Sequence, residues 1–235
     1  QVPEIAAAFV ELAHQHQRLQ DEYAHVVDRV YGDMQPNRLA PLPHEEVRDF
    51  LNRRDNYIES LDRSAERLAD VLGLVPRQRT AALREELMRS HRIEVVDMPA
   101  NLEGVMRRFD PRRRRLMVAA GLSDAQRAFP IATQYALINQ RELIEREIAA
   151  AGMQDEQTCA LARQGLAHYF AGALLLPYTA FLETARAVRY DIEALQQHFA
   201  VSFETVCHRL STLQRSGARG VPFYFVRVDQ AGNIS

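Results

Sequence analysis

The sequence predicts an α+β, mostly helical fold: a long helical hairpin, then a mixed unit with a small β-sheet and a closing pair of short helices resembling a helix-turn-helix. Three observations carry this. Apolar residues recur at three- and four-residue steps through two long stretches before residue 73. Between about residues 93 and 119 the pattern alternates instead, around an Asp110-Pro111 turn. Beyond Ser123 the helical period returns and continues to about Leu213.

In chain order, Ile5, Phe9, Leu12, Leu19, Tyr23, Val26, Val27 and Val30 mark a helix over 4–31. Gly32, Pro36, Pro41 and Pro43 break it. A second long helix is expected from about His44 to Leu72, on the near-heptad stripe Val47, Phe50, Leu51, Ile58, Leu61, Ala65, Leu68 and Leu72. The proline-rich connection makes the two an antiparallel hairpin. A short helix over 77–88 precedes a strand at 93–96. Two further strands, 104–109 and 114–119, flank the turn. Ser123 is suited to cap a helix running to about Ala151, and another spans 155 to about 188, interrupted or bent near Pro177. Short helices follow at 192–199 and 203–213, and a last strand is expected over 221–228. The expected division is residues 1–73 as the hairpin and 74–235 as the mixed unit.

Composition bounds the function. Hydrophobic residues make up 47% of the 235, enough for a core, and the 26% charged fraction excludes wholesale disorder. The formal net charge of −2 excludes a globally basic nucleic-acid coat. No apolar run approaches the ~20 residues of a membrane helix. With only Cys159 and Cys207 there is neither a disulfide framework nor a four-cysteine metal site, and a reducing, cytoplasmic setting is expected. All 29 basic residues are arginine, so no lysine is available for a Schiff base or a phosphate-binding loop. The chain starts at Gln1 and stops at Ser235 just after a strand-like run, and is read as part of a longer protein.

Three motifs bear on chemistry. The first is a metal site that has lost its ligands. The helix segment Ile131-Ala132-Thr133-Gln134-Tyr135-Ala136-Leu137 and the segment from Ala167-His168-Tyr169-Phe170 to Leu176-Pro177 together resemble the IrrE-like zinc metallopeptidase fold. That fold carries a His-Glu-x-x-His motif on the first helix and a further Glu ligand before the second segment. By this resemblance Thr133, Gln134, Leu137 and Gln164 stand where ligands and general base would be, so neither zinc nor hydrolysis is expected. The second motif is the helix-turn-helix-like stretch 192–210. No acid lies between Thr205 and Arg227, which favours phosphates, though the pattern chiefly reports a packed helix pair. The third is the arginine cluster, Arg107, Arg108 and Arg112 to Arg115. Strand alternation sends Arg107 and Arg108 to opposite faces, so that one of them points toward the helices. The four at the turn read as a solvated hairpin tip.

The C-terminal run is more specific. Arg209-Leu210-Ser211-Thr212-Leu213-Gln214-Arg215, then Gly220-Val221-Pro222-Phe223-Tyr224-Phe225-Val226-Arg227-Val228-Asp229, resembles the short-chain fatty-acyl transcriptional regulators of actinobacteria. Tyr169 to Tyr178 and Arg108-Phe109-Asp110 share the resemblance, which covers the chain from about Asn56 onward. It implies a longer regulator with an N-terminal DNA-binding domain and a Cys-rich C-terminal segment, both outside this chain. The effector it implies is coenzyme A or a short-chain acyl-CoA, and DNA is met through the absent domain.

On that basis the expected function is effector sensing without catalysis. A coenzyme A site needs cations for its phosphates and flat apolar surface for its base. Arg29 and Arg108 are the first phosphate candidates, with Arg227 behind them. Tyr57 and Tyr169 are the stacking candidates, each weighed against an ordinary place in the core. A pocket is expected between the 44–72 helix, the 104–119 hairpin and the 155–188 helix. The amphipathic hairpin implies a homo-oligomer. Two alternatives stand beside this reading: a zinc metallopeptidase acting on a repressor, and direct DNA binding through residues 191–215.

Overall fold

The structure, a computed structural model, describes residues 42–99 and 105–223. The expected 4–31 helix and the phosphate candidates Arg29 and Arg227 lie outside the described residues, as does most of the expected 221–228 strand. Residues 221–223 are described and are not strand.

The first described elements correct an expectation. Instead of one helix over 44–72 there are two, α1 (Pro43–Asn52) and α2 (Glu59–Val71). The break falls at Arg53-Arg54-Asp55-Asn56. Asp55 and Asn56 take φ of 52° and 56°, a left-handed conformation that these two residue types tolerate through local hydrogen bonding. The Asn56 N–H closes back on the Leu51 carbonyl at 2.9 Å. α2 follows, with Leu61, Asp62, Ala65 and Ala69 on its buried face.

α3 (Arg79–His91) ends at Arg92, in the left-handed region at φ 55°, and the chain turns directly into β1 (Glu94–Asp97). β2 (Arg107–Asp110) and β3 (Arg115–Val118) form the expected hairpin. The Asp110 carboxylate builds its turn by accepting the Arg112 and Arg113 N–H groups, both at 3.0 Å. The sheet order is β1-β3-β2, with β1 parallel and β2 antiparallel to β3. Register puts Arg107 opposite Val118, Arg108 opposite Met117 and Phe109 opposite Leu116. Leu116 and Val118 are fully buried, so Arg107 and Phe109 share the inner face and Arg108 the outer.

α4 (Asp124–Asn139) begins with the expected Ser123 cap, a reciprocal box with Gln126. The expected single helix to Ala151 is divided at Gln140, whose ψ of 12° departs from the helix, and α5 (Arg141–Ala150) follows. No glycine or proline marks that point in the sequence. α6 (Glu156–Leu175) and α7 (Tyr178–Ala187) meet at a 62° bend at Leu176-Pro177, as Pro177 requires. α8 (Ile192–Phe199) and α9 (Phe203–Ser211) are capped by Asp191 and Ser202 and joined through Ala200 at φ 49°.

α6 runs through the middle of the core, against α4 and α2, with its own Leu166, Phe170 and Leu174 buried, as is Phe181 of α7. Phe50, Ile58, Leu61 and Ala65 belong to the same apolar cluster. Residues of α1 and α2 therefore contribute to the same core as the elements after residue 73. Among the described residues no single helix is long and apolar enough to cross a membrane.

Candidate functional site

Two polar centres lie on different faces of α6. On one face Asp62, fully buried, reaches across from α2. Its carboxylate accepts from both guanidinium nitrogens of Arg209 (2.6 and 3.3 Å), from Arg215 Nη2 (3.0 Å) and from the Tyr169 hydroxyl (2.8 Å). Arg215 also donates to Glu66 at 2.7 Å and to the Tyr57 hydroxyl at 2.9 Å. Its guanidinium lies 3.9 Å from the centre of the Tyr178 ring. Arg209 Nε donates to the Leu176 carbonyl at 2.8 Å, satisfying an acceptor at the α6–α7 bend. Tyr178 accepts the Arg215 N–H and donates to the Ala218 carbonyl, both at 2.9 Å. Two carboxylates meet two guanidiniums, and every one of these groups is bonded. Burial raises the Tyr169 hydroxyl far above the usual tyrosine range, with the Asp62 charge adding to it. The cluster ties α2, α6, α7, α9 and the segment to residue 220 together.

On the other face the inner position of β2 delivers Arg107 between α4 and α6. Its Nη1 donates to the Gln134 side-chain oxygen at 2.5 Å and its Nη2 to that of Gln164 at 3.0 Å. Both partners are neutral amides. Burial alone pushes the Arg107 pKa below the usual arginine value, and among the described residues no carboxylate answers the charge. Gln164 and His168 are one turn apart on α6, and the His168 ring lies 5.7 Å from that of Phe129. Burial first and the Arg107 cation second lower the His168 pKa. Thr133, beside Gln134, donates back to the Phe129 carbonyl at 2.9 Å.

The expected site residues fall as follows. Tyr57 and Tyr169 converge, but on Asp62 and Arg215, with their hydroxyls bonded to protein groups. Arg108 is exposed on the outer face of the sheet and joins neither centre. Its expected convergence with Tyr169 is therefore replaced by Arg107 meeting Gln134 and Gln164. The helix-turn-helix-like pair is present, but its basic residues are not free. Arg209 and Arg215 are buried in ion pairs, and Arg219 lies 3.9 Å from Asp55. Glu204 and the exposed Phe203 share the outer side of α9. The cations that made 191–215 a DNA-binding candidate thus serve the core.

Residues 88–211 match the model of the IrrE N-terminal-like domain, the M78 peptidase family. The chain belongs to that family. Residues 212–235 match the C-terminal domain of the short-chain fatty acyl coenzyme A regulators, which bears out the resemblance read from the sequence. The chain is 44% identical over 246 residues to the HTH-type transcriptional regulator PrpR of Mycobacterium tuberculosis, covering 100% of this chain and 50% of PrpR. It is 43% identical to the propionyl-CoA carboxylase regulator of Cereibacter sphaeroides and 36% identical to the regulator RamB of M. tuberculosis, covering 99% of this chain and 49% of each. It spans about half the length of these curated relatives. A solved M. tuberculosis transcriptional regulator superposes with a TM-score of 0.80 at 48% identity, over 83% of this chain and 59% of that one.

The IrrE-like frame gives Arg107 its meaning. By the resemblance read from the sequence, its two amide partners stand at the positions of the motif Glu and of the third zinc ligand, with Thr133 and Leu137 at the two histidine positions. These residues do not fit zinc, which takes imidazole, thiolate or carboxylate. A hydroxyl, a hydrocarbon and two amides offer no anionic donor, and the guanidinium set among them repels a dication. No group of three His, Cys, Asp or Glu converges among the described residues. The sequence held a signal for Arg107: Phe109, two residues on, is an aromatic suited to the core face, and period two puts Arg107 beside it. Asp62 was signalled as well, sitting with Ile58, Ala65 and Ala69 on one helical stripe.

Proposed function

We propose that this chain is the effector-sensing domain of a cytoplasmic transcriptional regulator of propionate or short-chain fatty-acid metabolism. It binds coenzyme A or a short-chain acyl-CoA, catalyses nothing, and acts on DNA through a domain outside this chain, as a homo-oligomer. The relatives named for propionate metabolism and for transcription support the biological setting. The observation that carries the reading is the exchange at the IrrE-like centre. The helices that would hold a hydrolytic metal are kept, while the metal-binding groups are replaced by neutral residues and one arginine. Such a centre keeps a half-buried cation that can meet an anionic effector and lacks the groups that would hold a hydrolytic metal.

Calorimetry of the purified chain with propionyl-CoA, acetyl-CoA and free coenzyme A tests the reading. Binding of any of the three at up to millimolar concentration, with a raised melting temperature, is the expected result. No binding by all three overturns sensing by this chain. Stoichiometric zinc in the purified protein overturns the non-catalytic part. Light scattering at micromolar concentration checks the oligomer.

A further inference from the structure

The Arg107 centre has a chemistry of its own. A guanidinium offers five N–H donors, and the two amide oxygens account for two of them. The rest find no partner among the described residues, and no carboxylate lies within ion-pair distance. Of the amides that hold it, Gln134 is buried in the middle of α4, and Gln164 lies on the exposed side of α6. The guanidinium is thus oriented as a planar fork, partly out of water and backed by two helices. A planar fork with its charge unmet fits an oxyanion, which it grips with two parallel hydrogen bonds. Another buried arginine, Arg79, shows the contrast. It also lacks a carboxylate, and burial brings it down to about 10, but it donates at 2.6 Å to the Phe199 carbonyl at the negative end of α8. Arg107 has no helix end to answer it.

We propose that Arg107, held by Gln134 and Gln164 at the position of the lost metal, is a receptor for a small oxyanion, a carboxylate or phosphate group. Its source is either a free anion such as short-chain carboxylate or inorganic phosphate, or the anionic part of a larger effector. In the second case the inference rests on the sensor reading. The guanidinium replaces the metal's positive charge without its Lewis acidity, so the site binds anions and does not activate water.

The test is thermal melting and calorimetry with sodium propionate and sodium phosphate, against sodium chloride at matched ionic strength. Arg107→Gln, Arg107→Lys and Arg108→Gln are compared with the unaltered chain, each checked for fold by circular dichroism. A saturable stabilisation by propionate or phosphate, absent with chloride, is expected. It should weaken about tenfold or more in Arg107→Gln, be partly kept in Arg107→Lys, and be unchanged in Arg108→Gln. Stabilisation that chloride reproduces, or that Arg107→Gln leaves intact, overturns the receptor, as does no stabilisation at all. If coenzyme A thioesters bind the chain and Arg107→Gln equally, the sensor reading survives and the larger effector is excluded as the source of the anion, while the propionate and phosphate results alone decide the receptor. If small anions bind at Arg107 and the thioesters do not bind, the receptor stands and the sensor reading fails.

Discussion

The two faces of α6 handle arginine in opposite ways. On the Asp62 face, Arg209 and Arg215 are buried, and each ends on a carboxylate. On the Arg107 face one half-buried guanidinium ends on two uncharged amides. Both centres hold their guanidiniums by hydrogen bonds, but the partners differ in charge. A closed sum of charge, two carboxylates against two guanidiniums, leaves little for a ligand to do; it fixes helices in place. An open sum leaves a cation that gains by meeting an anion. Tyr57 and Tyr169 looked like ligand-facing residues in the sequence because aromatics at element edges suit a nucleotide, and they belong to the closed centre.

The difference is open to measurement. The largest effect is expected at Asp62. Asp62→Ala strands the buried Arg209 guanidinium, leaves Arg215 with Glu66 alone, and should cost about 3–5 kcal/mol of stability, read by urea or thermal unfolding. A loss below about 1 kcal/mol would show that the cluster is no structural keystone. Tyr169→Phe comes next. It removes a donor to Asp62 and leaves the buried Ile58 N–H without its acceptor at 3.1 Å, for about 1–3 kcal/mol. If Tyr169 instead faced a ligand, this variant would melt normally and bind more weakly.

The closed centre also sets a pH dependence. Burial works against the ionised Glu66, but the Thr179 hydroxyl and N–H and the Arg215 guanidinium outweigh it, and its pKa lies below the usual carboxylate value. Glu147 follows the same pattern: burial opposes ionisation, and Ser60 and Arg54 overcome it. A carboxylate lowered on folding binds fewer protons folded than unfolded. Its stabilisation is fully present above the unfolded pKa of about 4.3 and is lost as pH falls through the lower folded value. Glu66→Gln and Glu147→Gln should therefore flatten the acid side of the stability curve below that pH. An unchanged acid limb in both would show that neither group is responsible.

How much of this was legible depended on whether the signal was local. The Ser123 cap, the Asp110-Pro111 turn and the bend at Pro177 are written in one or two residues, and all three occur as expected. The break between α1 and α2 was hidden because Leu51 and Ile58 are seven residues apart. That spacing is met equally by a continuous heptad and by a chain that leaves one helix and enters another. Arg107 and Arg108 pose a subtler problem. Alternation says that one of them faces inward, and a one-residue slip of register exchanges them. Phe109 hints at the phase, and the pairing of Phe109 with Leu116 and of Arg107 with Val118 fixes it. The closed centre depends on contacts between residues more than a hundred apart, such as Asp62 with Arg209, which no local pattern encodes.

The smallest expected effect on stability is also the sharpest for the comparison. Arg107→Met removes a half-buried cation that has no counter-charge and replaces it with an apolar chain of similar reach. The losses are two hydrogen bonds to Gln134 and Gln164. Gln164 is exposed and regains water, whereas Gln134 is buried and forfeits a partner. Against these losses stands relief from desolvating an unpaired charge, the term that already holds the Arg107 pKa down. The opposing terms should leave the stability in low-phosphate buffer within about 1 kcal/mol of the unaltered chain. In buffer with saturating phosphate the unaltered chain should gain stability and the variant should not, so the gap between them widens with anion concentration. A loss of about 3 kcal/mol already in low-phosphate buffer would place Arg107 with Arg209 and Arg215, as a residue the fold needs. A gap that stays constant as phosphate rises would leave the open charge without a ligand.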